Sequence, residues 1–93
     1  MNESEARLIL ERELARYRGL SYAELLSLVG HIETCERASL SGATYQIEIE
    51  VFFDDKARRT IRVLGGIDDG GLRAFIPLTD DFTRAPDDTS IGE

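Results

Sequence analysis

The sequence is poor in the residues that carry most protein chemistry. It has one cysteine, Cys35, one histidine, His31, and one lysine, Lys56. A lone cysteine excludes an internal disulfide. Together with a single histidine it also falls short of the ligand set of a zinc site. No apolar run approaches the length of a membrane-spanning helix. Basic residues are scarce: 11 Lys and Arg stand against 18 Asp and Glu, for a net charge of −7. Nucleic-acid binding rests on neutralising phosphates with basic side chains, so this balance argues against nucleic acid, and against anionic membrane surfaces for the same reason. The opening Met1-Asn2-Glu3-Ser4-Glu5 is acidic and lacks the basic and apolar regions of a secretion signal. The expected location is therefore the cytoplasm.

What is present is an ordinary globular composition, 42% hydrophobic and 31% charged over 93 residues, enough for one domain with one core. The expected fold is α+β: two N-terminal helices packed on one face of a three- or four-stranded antiparallel β-meander. Residues 1–79 form its body, and 80–93 an acidic C-terminal tail of the same domain.

The first helix is expected over 3–18. Asn2 caps it, Glu3 and Glu5 sit at the positive end of the helix dipole, and Arg16 and Arg18 at the negative end. Ala6, Leu10, Leu14 and Tyr17 form one apolar stripe. A second, short helix over 21–29 opens on a capping box, Ser21 with Glu24, and stops at Gly30. Beyond Gly30 the hydrophobic period falls to two. Tyr45, Ile47, Ile49, Val51 and Phe53 alternate with polar residues, the strongest strand signal in the chain. Strands are expected over 44–54, 58–67 and 71–78, with 31–38 a further candidate in which either Ile32 or Cys35 faces inward. An Asp69-Gly70 hairpin pairs Ile67 with Leu72, Val63 with Ile76 and Ile61 with Leu78. An Asp55-Lys56-Ala57 loop pairs Val51 with Ile61 and Glu50 with Arg62. Gly65 then faces Ala74, and this small pair leaves room for a helix to approach.

Three patterns bear on chemistry. Asp-Asp pairs recur, and Asp54, Asp55, Asp80 and Asp81 fall at one end of the expected sheet, where carboxylates could hold a hard cation. The competing reading is turn chemistry, since Asp favours turns. His31 and Cys35 would serve as a nucleophilic dyad only within hydrogen-bond reach, whereas four residues of strand hold them roughly 13 Å apart. Gly65-Gly66 and Gly70-Gly71 lack the following helix that a phosphate cradle needs.

The most informative residues are Phe52, Leu64 and Phe75, which the registers place on the face away from the helices, with Leu64 and Phe75 cross-strand. Glu48, Glu50, Arg62 and Arg73 rim them with mixed charge. Such a patch marks a contact surface, unless the tail folds back and covers it with Phe82 or Ile91. The expected function is thus a small non-catalytic interaction or ligand-binding module without a cofactor. It is homo-oligomeric or bound to a protein partner, dimerising through the outer sheet face. The alternative is a metal-dependent protein or enzyme using the Asp54/Asp55/Asp80/Asp81 end. An inhibitor whose acidity mimics nucleic acid also fits the charge, but no residue pattern specifies one.

Overall fold

The structure, a computed structural model, describes residues 1–70 and 77–89. Helices α1 (Glu3–Arg18) and α2 (Tyr22–Leu28) precede strands β1 (Ile32–Ala38), β2 (Thr44–Asp55), β3 (Thr60–Asp68) and β4 (Leu78–Arg84). The strands form one antiparallel sheet in the order β1-β2-β3-β4. Both helices cover the same face, seated chiefly on β2, β3 and β4. The fold is α+β, as the sequence implies, and the meander has four strands.

The helix boundaries follow from their caps. The Asn2 side chain accepts a hydrogen bond from the Glu5 amide. Ser21 and Glu24 make the reciprocal capping box, and Gly30 turns the chain into β1 with φ 91°. The stripe Ala6, Leu10, Leu14 and Tyr17 is buried against Tyr45, Ile47, Ile49 and Val51 of β2 and Ile61, Val63 and Ile67 of β3. α1 approaches β3 closely at Gly65, where an added Cβ would lie 2.8 Å from Leu10 Cδ1 and 3.3 Å from Leu14 Cδ2. The glycine does admit the helix, but it faces Asp80 across the ladder. Ala74 lies outside the described residues.

One open alternative is decided and two expectations are corrected. In β1 it is Cys35 that packs on the core, while Ile32 is 57% exposed on the other face. The β2–β3 register is displaced by two residues: Val51 faces Val63, Glu50 faces Leu64 and Phe52 faces Arg62, with an irregularity between Phe53 and Asp55. The cause is the turn. Asp55 Oδ1 accepts the amides of Ala57 and Arg58, and Arg59 adopts φ 58°. The loop is therefore longer than three residues, and Asp55 pairs with Thr60. A shift of two preserves every face, which is why the burial pattern survived it.

The second correction concerns the last strand. Leu78 faces Ile67, not Ile61, while Val63 faces Phe82 and Ile61 faces Arg84. Residues first assigned to an acidic tail thus form β4, and Phe82 is a core residue, 2% exposed. The expected strand over 71–78, with its pairs to Leu72 and Ile76, lies largely outside the described residues. Arg84 locks β4 to the helices. Its guanidinium donates to the carbonyls of Leu20 (2.8 Å) and Arg18 (3.1 Å), supplying positive charge at the negative end of α1.

Candidate interaction surface

Alternation along four paired strands fixes which side chains share the helix-free face. The register sets Ile32, Glu50, Leu64 and Asp81 in one row, and Thr34, Glu48, Gly66 and Thr79 in the next. Phe52 and Arg62 face each other at one end, Gln46 and Asp68 at the other. Phe52 and Leu64, expected to centre a contact patch, are therefore diagonal neighbours on this face, both half-buried. Glu48, Glu50 and Arg62 share this face. Phe75 and Arg73 lie outside the described residues. Phe82 does not cover this patch, because it points into the core on the opposite face.

The registers reveal a strongly acidic face. Glu36, Glu48, Glu50, Asp68 and Asp81 all belong to it. Arg62 is its described cation, and its charge is already committed: Nε donates to Asp54 at 2.8 Å and Nη1 bonds Asp81. Glu48, Glu50 and Asp68 border a hollow of about 330 Å³, also lined by Leu64, Gly66, Pro77 and Thr79. Gly66 makes the hollow by having no side chain in the middle of the row. An added Cβ there would meet nothing closer than 3.8 Å.

The four aspartates proposed for a cation are divided. Asp54 and Asp81 meet on the Arg62 guanidinium. Asp55 caps the β2–β3 turn. Asp80 faces Gly65, and its Oδ1 accepts the Asp81 amide. Among the described residues no three carboxylate, histidine or cysteine side chains converge as a metal site would need. Sequence reading found these carboxylates but assigned Arg62 to Glu50, because the register was displaced.

On the helix side, a polar cluster ties α1 to β1. Glu13, 8% exposed, accepts Arg37 Nε at 2.7 Å and Arg16 Nη1 at 3.1 Å. The Tyr17 hydroxyl donates to Glu33 at 2.7 Å, and burial, then that hydrogen bond, push its pKa up to about 12. Two adjoining hollows of about 270 and 260 Å³ border Tyr17, Leu28 and Glu33, and the first also reaches His31. Cys35 sits beside this cluster, its pKa raised by burial. Sequence reading missed Glu13, although it shares the stripe of Leu10, Leu14 and Tyr17 at helical spacing. His31 precedes β1 and Cys35 lies at its centre, so extended chain separates them as expected.

No protein-family model, curated protein or solved structure matches this chain. Among the described residues, no helix is long and apolar enough to cross a membrane.

Proposed function

We propose that this chain is a non-catalytic interaction module whose helix-free sheet face receives a basic, partly apolar partner. The observation carrying this reading is the hollow at Gly66. Among the described residues that line it, three carboxylates and no cation surround an apolar floor made by Leu64 and Pro77. That combination suits an arginine or lysine whose aliphatic stem lies on the floor while its head reaches the rim. The same charges disfavour the face-to-face homodimer expected from the sequence, which would press one acidic surface against another. A working place in the cytoplasm fits a chain whose single cysteine forms no internal disulfide.

The test uses a short synthetic peptide alternating arginine and leucine, titrated into isotopically labelled protein. Amide shifts are expected to concentrate in the central residues of β2 and β3, to weaken with salt, and to vanish in Gly66→Val combined with Glu48→Gln and Glu50→Gln. Shifts scattered over the helices, or unchanged in that variant, would refute the reading.

A further inference from the structure

The free edge of β1 is a second feature, independent of the acidic face. Strand order places β1 at the edge of the sheet. Its hydrogen-bond phase follows from two bonds: Val51 N–H donates to the His31 carbonyl, and Ser39 N–H to the Ala43 carbonyl. With the β1–β2 register, these bonds turn the backbone groups of the odd-numbered residues Glu33, Cys35 and Arg37 toward β2. The N–H and C=O groups of Ile32, Thr34, Glu36 and Ala38 point outward. Both helices sit chiefly on the other three strands, and α1 reaches β1 through the side chains of Glu13, Arg16 and Tyr17. β1 contains no proline and pairs with β2 without a bulge. An exposed edge of this kind is a template for another strand unless something blunts it.

We propose that two copies of this chain pair antiparallel through β1, about a two-fold axis at Cys35. Charge selects this register. It sets Glu33 opposite the Arg37 of the second copy, and Arg37 opposite that copy's Glu33, so each meets an opposite charge across the axis in addition to its bond with Tyr17 or Glu13 of its own chain. Ile32 then meets Ala38, and Thr34 meets Glu36. A two-fold axis at Thr34 sets Arg37 against His31 instead, and one at Glu36 opposes two glutamates. Odd offsets bring outward-pointing backbone groups of one copy against inward-pointing groups of the other. Glu33 and Arg37 remain accessible enough to reach across, with side chains 49% and 43% exposed. The product is one continuous sheet with the helices of both copies on one side. Their acidic faces join on the other side.

The axis makes Cys35 its own cross-strand neighbour in a non-hydrogen-bonded pair, where Cα atoms lie about 4.5 Å apart. That spacing permits a disulfide, so the chain's only cysteine reports the register. Oxidation with copper-phenanthroline at alkaline pH removes two electrons and two protons from two thiols, with copper(II) as acceptor. A near-complete covalent dimer is expected. Without oxidant, sedimentation is expected to show a dimer. Thr34→Pro removes an amide that points away from β2 and bonds nothing among the described residues, and is expected to sediment as a monomer with unchanged circular dichroism. If proline disturbs the fold, Thr34→Asp provides the same test, because it sets a carboxylate against Glu36 of the other copy on each side of the axis. It is expected to weaken the dimer roughly tenfold. A monomeric wild type, a dimer indifferent to both substitutions, or a dimer that resists crosslinking at Cys35 would overturn the proposal. None of these readouts depends on the Gly66 hollow, so either proposal can fail alone.

Discussion

Two adjacent glycines sit in opposite environments, and their substitution separates packing from function. Gly65 faces α1, and its missing Cβ is where Leu10 and Leu14 press close. Both leucines are 1% exposed and have nowhere to retreat. Gly65→Ala is expected to cost about 1–3 kcal/mol by overpacking, measured by urea unfolding. Gly66→Ala, on the other face, is expected to stabilise by roughly 0.5 kcal/mol, since glycine weakens a strand interior. Equal effects at the two sites would contradict the assigned faces. At Tyr17 the expectation concerns pH. Its pKa stands at about 12 in the folded protein against an ordinary 10.0. A raised value means that its contribution is complete below pH 10.0 and is lost as pH rises through about 12. Tyr17→Phe should flatten the fall in stability across that window. Tyr45, also raised by burial and by its bond to Glu5, leaves a residual slope. Parallel wild-type and Tyr17→Phe curves would show that the phenol contributes nothing there.

The elements differ in how plainly the chain announces them. Both helices carry caps, whose side-chain geometry is local and therefore readable. β2 alternates from Thr44 to Val51. β4 hides because two of its four inward positions, Asp80 and Arg84, are charged. Its pattern resembles solvated tail, and the Asp69-Gly70 pair draws attention to a tight hairpin. Here Gly70, with φ 81°, instead gives its amide to Asp68 Oδ1. No local pattern shows that Arg84 is needed at the end of α1, 66 residues away. The β2–β3 displacement has the same origin, since it depends on how Asp55 and Arg59 close a turn. The candidate surface was legible as a face because faces survive such a displacement. Its acidity was not, because cross-strand neighbours do not survive it. Arg84 supplies the test at this scale. Arg84→Met keeps much of the stem against Phe82 but leaves the carbonyls of Arg18 and Leu20 without their charged donor. A loss of roughly 2–3 kcal/mol is expected in chemical denaturation. A change below half a kilocalorie would mean that water replaces the guanidinium (roughly the noise of such measurements).

For the molecule as a whole, the question is what balances a net charge of −7. Turns account for part of the acid: Asp55, Asp68 and Asp87 each accept backbone amides in their own loops. Arg62 holds the pair that most resembled a cation site. Millimolar Mg²⁺ or Ca²⁺ is therefore expected to leave the melting temperature unchanged. A rise of several degrees that disappears in Asp54→Asn would restore the metal reading.

The bond between Arg84 and the end of α1 also has a consequence for biosynthesis. Helix α1 is synthesised before every strand, yet the strand that supplies Phe82 to its core and Arg84 to its terminus follows the other three. A nascent chain carrying only the helices and three strands exposes Val63 and Ile67 on an unpartnered edge. It must wait for Leu78–Arg84 to clear the ribosome before the sheet can close. Such long-range closure slows folding, so the sheet and its helices close only after β4 has been synthesised.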